Sequence, residues 1–235
     1  MVEVAADRAL IVVTRVAQGG EKLKHELAGG PPLPSVPSEQ WLERRSVLLE
    51  AITATALRRV RTPFTWVWRV HPERRDQAQE IADRIWPDAV LVDDELTHDA
   101  VAPDADSFLG IRLDGDDALD PRCIDRIAAR RLPPSTLVNW WAGWKFNWHT
   151  GEVAEWEWPK RRQGPFLAVT QEGRERMLDV PGPHNPAREG RQNVVHIDGR
   201  NWLYTMHGDN VTSRWRGPET LPTTEAEAVL ARFLG

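Results

Sequence analysis

The residues best suited to chemistry stand together at Arg112-Leu113-Asp114-Gly115-Asp116-Asp117. Three carboxylates directly after an apolar run repel one another at the end of a strand unless a cation neutralises them. Hard oxygen ligands of this kind suit Mg²⁺ or Mn²⁺, ions that bridge to phosphate groups. The same residue types also build a solvated turn whose aspartates cap the next helix, so the segment alone leaves both readings open. Two arginines add to it. Arg15 follows an apolar run, and Arg45 falls among the apolar positions of a helix, where a charge needs a partner. A phosphate would serve Arg45, and so would Asp93, Asp94 or Glu95.

Those side chains need elements to hold them. Residues 9–14 are a continuous β-branched run, the pattern of a strand buried on both faces. The loop at 29–37 is too rich in proline and glycine for regular structure. Ser38 then caps a helix, with Trp41, Arg45, Leu48, Leu49, Ile52 and Ala56 at helical spacing. Residues 64–70, 89–92 and 107–113 read as strands. Residues 73–84 read as a helix with Ala78, Ile81, Ala82 and Ile85 inward. A further helix starts near Asp120-Pro121, with proline in its first turn. The order β-α-β-α-β-loop-β-α predicts an α/β fold with a mostly parallel sheet and right-handed crossovers. Such sheets bind ligands at the carboxyl ends of their strands, where the acidic tip falls. The second half changes character. Residues 136–141, 144–148 and 153–158 predict short antiparallel strands broken at Gly143 and at Thr150-Gly151. Residues 192–197 and 202–206 predict two more, and 224–234 a terminal amphipathic helix.

Composition narrows the class. At 235 residues, with short polar linkers, the chain reads as one domain over 1–235. Cys123 is the only cysteine, which excludes a disulfide scaffold. No apolar run reaches the length that spans a bilayer, and the start Met1-Val2-Glu3-Val4-Ala5-Ala6-Asp7-Arg8 is acidic and mixed, unlike a secretory signal. A soluble, cytoplasmic protein without an integral membrane segment is expected. The net charge of −5 argues against a broad electrostatic grip on nucleic acid, though not against a local basic groove. Lys22, Lys24, Lys145 and Lys160 are the only lysines, so 30 − 4 = 26 basic residues are arginine, whose planar forks suit phosphate. Of the 12 tryptophans, Trp140, Trp141, Trp144, Trp148, Trp156 and Trp158 cluster. Indoles stack on sugar faces or bases, yet most are expected in the core.

Several segments, in order from about residue 10 to about 215, resemble the rhamnosyltransferase-like family of GT-A fold glycosyltransferases. The first strand ends in Thr14-Arg15. Trp41, Arg45 and Leu49-Glu50 are similar to the family's W-x3-R-x3-F-E helix, with leucine replacing phenylalanine. Phe64-Thr65-Trp66-Val67 resembles its second strand, and Arg112-Leu113-Asp114-Gly115-Asp116-Asp117-Ala118-Leu119 its RLDxDDAL segment. Pro165-Phe166-Leu167-Ala168-Val169-Thr170-Gln171-Glu172 is similar to its PFLS-containing strand. His207-Gly208-Asp209-Asn210-Val211 resembles its HGxN segment. The loop at 29–37 and the tryptophan-rich stretch after 139 depart from the pattern, so the donor sugar and acceptor do not carry over.

The resemblance implies a GT-A-like, Rossmann-like sheet flanked by helices. A nucleotide-sugar-binding half spans 1–119, and an antiparallel, tryptophan-rich acceptor half spans 120–235. It implies a metal-dependent glycosyltransferase holding Mn²⁺, or Mg²⁺, through Asp114, Asp116 and His207. Thr14, Arg15, Arg45, Asp93 and Asp114 would contact a UDP-, GDP- or dTDP-sugar. Glu172 would be the base that takes the acceptor's proton, with Glu155, Glu157 and Asp209 as rivals. The acceptor would be a glycan, a protein, a small molecule or modified DNA. Two other functions stay open. A nucleotidyltransferase should carry a glycine-rich basic loop after strand one, and Gly19-Gly20-Glu21-Lys22 matches this poorly. A non-catalytic carbohydrate- or nucleic-acid-binding module would use the tryptophans and not need the acidic tip.

Overall fold

The opening apolar run lies in strand β1 (Arg8–Ala17), where Leu10, Ile11, Val12, Val13 and Val16 are all buried. Burial on both faces is what a run without polar alternation requires. The computed structural model describes residues 8–17, 36–93, 101, 105–157, 166–172, 193–207 and 219–235. β1 pairs in parallel with β2 (Thr65–Val70) on one side and β4 (Ser107–Asp114) on the other, and β3 (Val90–Val92) extends the sheet beyond β2. The chain thus steps outward from β1 to β3 and then returns to lay β4 on β1's other side. The carboxyl ends of β1 and β4 flank that topological switch, the place where open α/β sheets leave a crevice.

Ser38 caps α1 (Glu39–Leu48), its hydroxyl accepting from the Trp41 amide. The helix runs on through a π-helical segment (Leu49–Ala54) into α2 (Thr55–Leu57). A 3-10 turn (Pro72–Arg74) leads into α3 (Arg75–Ile85), whose Ala78, Ile81, Ala82 and Ile85 are all buried. The main core joins residues of α1 and α3, and of α4 (Pro121–Ala128), to Leu10, Val12, Trp66, Trp68, Leu109 and Ile111 of the sheet. Ile11, Val13, Val67, Val92 and Phe108 form a second cluster with Val101. Successive strand residues face opposite sides, so the two clusters lie on opposite faces.

The second half adds β5 (Ala118–Leu119), β6 (Thr136–Asn147), β7 (Val153–Glu157), β8 (Phe166–Glu172), β9 (Asn193–Met206) and α5 (Thr223–Leu234). The sheet order is β3-β2-β1-β4-β8-β6-β9-β5, with β7 on β6. β8 is antiparallel to both β4 and β6, and β6 is parallel to β9. Hence β1, β2, β3, β4, β6 and β9 share one direction, and β5, β7 and β8 oppose it. Two expectations are corrected here. The second half is mixed rather than antiparallel. Gly143 does not break β6 either: it gives room to Trp202, since a Cβ there would lie 2.0 Å from that indole. Shifts of register near Ala142 let β6 continue past it.

Eight of the ten described tryptophans serve the cores. Trp66, Trp68, Trp140 and Trp202 are fully buried, and Trp41, Trp86, Trp144 and Trp156 pack at the cores' edges. Trp148 is the exposed one, at 37%. Among the described residues no helix is long and apolar enough to cross a membrane.

Candidate functional site

The acidic tip folds into a tight turn at the end of β4. The Asp117 amide donates to the Asp114 carbonyl at 3.2 Å, and the Thr53 hydroxyl donates to the Asp117 carbonyl at 2.9 Å. Gly115 lets the turn close on its neighbours. A Cβ there would stand 3.3 Å from Leu49 Cδ1 and 3.4 Å from Thr14 Cγ2. The π-helical segment therefore backs the turn, and α1 brings Arg45 to it.

Arg45 meets Asp116 through both fork nitrogens. Nη1 donates to Oδ2 and Nη2 to Oδ1, each at 2.7 Å. His207, just past β9, places Nε2 2.8 Å from Asp116 Oδ2 and 2.7 Å from Arg45 Nη1. The ring nitrogen either donates to the carboxylate or accepts from the guanidinium, according to its tautomer. Only in the tautomer that leaves Nε2 unprotonated do the carboxylate oxygen and the imidazole nitrogen both offer lone pairs to the guanidinium. Two further contacts fasten His207. Its carbonyl lies 3.1 Å from His149 Nε2, and the preceding Met206 carbonyl accepts from the Trp148 amide at 2.9 Å.

Electrostatics follows from burial. Burial alone would push the Asp116 carboxyl up, but the Arg45 charge and the hydrogen bonds from His207 and Arg45 outweigh it and hold it below the ordinary value. Asp117 goes the other way. Full burial, then the charges of Asp116 and Asp114, raise it well above the ordinary value against the opposing Thr205 amide, which donates to Oδ1 at 2.7 Å. Its Oδ2 is buried and has no hydrogen-bond partner among the described residues. Asp117 does not cap α4. Asp120 does, accepting from the Arg122 amide.

The other sequence-derived candidates scatter. Asp114 lies beside the cluster and pairs with Arg112 at 3.4 Å. Arg15 is exposed and sits opposite Asp114 in the β1–β4 register. Thr14 is fully buried, its hydroxyl accepting from Trp66 Nε1 at 2.8 Å. Asp93 pairs with Arg75 at 2.8 Å, so the partner of Arg45 is Asp116 rather than Asp93. Glu172 pairs in register with Ser107, at the amino end of β4. Seven residues of strand separate Ser107 from Asp114, about 23 Å, so the fold does not bring Glu172 to the cluster. Its rivals Glu155 and Glu157 are tied to Arg200. Asp94, Glu95, Trp158, Lys160-Arg161-Arg162, Asp209, Asn210, most of the 29–37 loop and the Glu172 side chain lie outside the described residues.

Sequence reasoning assigns Thr53 and His149 no role, and it assigns Arg112 none beyond its place in the acidic segment. Only Arg112 carried a signal, a charge inside an apolar strand run, the argument that singled out Arg45.

The donor set fits a divalent ion of the Mn²⁺ type, since one carboxylate oxygen and one imidazole nitrogen suit it better than Mg²⁺. In the structure Oδ2 and Nε2 are hydrogen-bonded to one another, and Arg45 Nη1 lies 2.7 Å from each. Among the described residues no group of three histidine, cysteine, aspartate or glutamate side chains converges to hold an ion.

A scan against known protein families finds no match for the chain, the rhamnosyltransferase-like family included. No curated protein matches it either. Among solved structures it is similar to a nucleotidyl transferase from Methanothermobacter thermautotroptrophicus, with 18% identity and a TM-score of 0.37 over 88% of this chain and 89% of that one.

Proposed function

We propose that the chain is a metal-dependent glycosyltransferase that moves a sugar from a nucleotide-sugar donor to an acceptor hydroxyl. The observation that carries the reading is the pairing of Asp116 Oδ2 with His207 Nε2, 2.8 Å apart, next to the crevice where β1 and β4 diverge. The resemblance of the acidic tip and the late histidine segment to the rhamnosyltransferase-like family supports the same reading.

Asp116 and His207 would hold Mn²⁺, or Mg²⁺, with Asp114 beside them and the substrate completing the set. Bound there, the ion supplies charge neutralisation of the leaving diphosphate. The chain's own residues do the rest. Arg45 keeps Asp116 ionised and fixes its plane through two hydrogen bonds. Thr53 and Gly115 set the turn that aims the carboxylates. Thr14 is a positioning residue, anchored on Trp66 beneath the turn. Arg15, at the mouth of the crevice, takes diphosphate oxygens. Asp93 directly follows β3, three strand spacings or about 14 Å from β4, within a nucleotide's reach for a ribose hydroxyl or base N–H.

The test is a screen of UDP-, GDP- and dTDP-sugars for release of nucleoside diphosphate, with and without Mn²⁺. One donor class should react, only with the ion, and Asp116→Ala should lower the rate by about 100-fold or more. Nucleoside triphosphates with sugar 1-phosphates form the second arm. Activity there and none with the sugar nucleotides would replace the reading with nucleotidyl transfer.

A further inference from the structure

Arg112 is the oddest charge in the molecule. Its side chain is 9% exposed, and its Nε and Nη1 are buried without a hydrogen-bond partner among the described residues. Only Nη2 is engaged, by Asp114 Oδ1 at 3.4 Å, a long contact. A guanidinium does not shed its proton, so burial leaves donors that need an acceptor. Two more arginines stand on the same face. Arg15 of β1 lies opposite Arg69 of β2 and opposite Asp114 of β4 in register, and Arg112 is two positions before Asp114. By strand alternation all three arginines share the face of Ile11, Val13, Val67 and Phe108, across the sheet from the α1-packed core.

We propose that Arg15, Arg69 and Arg112 form an anion site at the carboxyl edge of β1, β2 and β4, built for a dianionic phosphate or diphosphate group and able to bind it without metal. Among the described residues Asp114 meets Arg112 only at a long 3.4 Å, which leaves the buried Nε and Nη1 of Arg112 for an anion. A tetrahedral oxyanion also offers several acceptors to forked donors at once. The neighbours feel the crowding. Partial desolvation of the otherwise exposed Arg15, then the Arg112 charge, lowers its guanidinium below the ordinary value; Asp114 opposes this and Arg69 adds to it. The inference deepens the glycosyltransferase reading, on which it rests only for naming the anion as the donor's diphosphate.

The probe is inorganic pyrophosphate, titrated calorimetrically into the full chain in EDTA, with thermal unfolding of the same samples. Wild type should bind it and melt higher in its presence. Arg112→Met and Arg15→Gln should each weaken binding about 10-fold or more, while Asp116→Asn changes it about twofold at most. Arg112→Met should also melt higher than wild type when no anion is present, because it removes a buried guanidinium with two unmet donors. A purely structural arginine would give the opposite shift. Arg15 is exposed, so its variant folds and reads binding even if Arg112→Met does not. Metal-free wild type that ignores pyrophosphate, or variants that bind it as well as wild type does, would overturn the site. Donor turnover is not read here. Pyrophosphate binding through the arginines with no sugar nucleotide consumed would leave this site standing and remove the glycosyltransferase reading.

Discussion

Arg45 and Asp116 lie 71 residues apart in the chain and meet through two parallel hydrogen bonds of 2.7 Å. Their side chains are 18% and 6% exposed, so the pair is shielded from screening by water. Removing one member strands the other charge. Arg45→Ala should therefore cost about 3 kcal/mol, whereas the neutral pair Arg45→Met with Asp116→Asn should recover more than half of that loss. Urea unfolding of Arg45→Ala and of the cycle formed by wild type, Arg45→Met, Asp116→Asn and their double variant measures it. Additive losses would mean the two residues do not act as a unit.

Asp116 and Asp117 should give opposite pH dependences in metal-free buffer. The Asp116 carboxyl is lowered on folding, so its contribution is present above the ordinary carboxylate value and is lost as pH falls through the lowered one. The Asp117 carboxyl is raised on folding. Its contribution is complete below the ordinary value and is lost as pH climbs towards the raised one. Asp117→Asn should accordingly gain stability over wild type as pH rises above about 4, with no gain below. Unfolding midpoints in EDTA from pH 3 to pH 8 (about the range of the two effects) decide this, and a constant offset would contradict it.

Gly143 and Trp202 form a lock in the tryptophan-rich half. Trp202 Nε1 also donates to the Trp140 carbonyl at 3.0 Å, so the indole is held in place. Gly143→Ala should destabilise by about 3 kcal/mol, the upper end of overpacking costs. Adding Trp202→Leu should make the alanine nearly neutral relative to Trp202→Leu alone. Thermal melts of the three variants would show this coupling.

The terminal helix is docked by charge as well as by apolar packing. Arg232 donates from Nε and Nη2 to Asp120 Oδ2 at 2.9 and 2.6 Å, and the same carboxylate caps α4 through its other oxygen. Arg232→Ala should cost about 2 kcal/mol and raise hydrogen exchange in α5 first. Unchanged exchange there would mean that Phe233 and its apolar neighbours suffice to hold the helix.

Much of the first half is legible from local pattern. Ser38 caps α1, the inward stripe of α3 is buried as its spacing predicts, and the acidic tip ends a strand at the carboxyl edge. These features depend on neighbours within a few residues. What fails depends on register between distant segments. Nothing near Arg45 names Asp116 as its partner. Nothing near residue 143 announces an indole from residue 202, so the glycine reads as a break. Glu172 follows an apolar strand as expected, but β8 runs antiparallel to β4, and direction alone carries that acid to the far edge. Asp117 reads as a cap because aspartates before a helix usually are one, whereas a tertiary contact with Thr205 claims it.

The π-helical segment has a rotational consequence. In a uniform α-helix each residue advances about 100°, so eight residues would leave Arg45 and Thr53 about 80° out of phase. The wider coil of Leu49–Ala54, with its i→i+5 bonds, turns less per residue and swings both side chains onto one azimuth. One then grips the Asp116 carboxylate while the other grips the Asp117 carbonyl. Eight residues here span the two turns that seven span in an ordinary α-helix, so deleting a single residue from this coil would restore ordinary winding, about 700° over seven steps, and keep the two grips in phase.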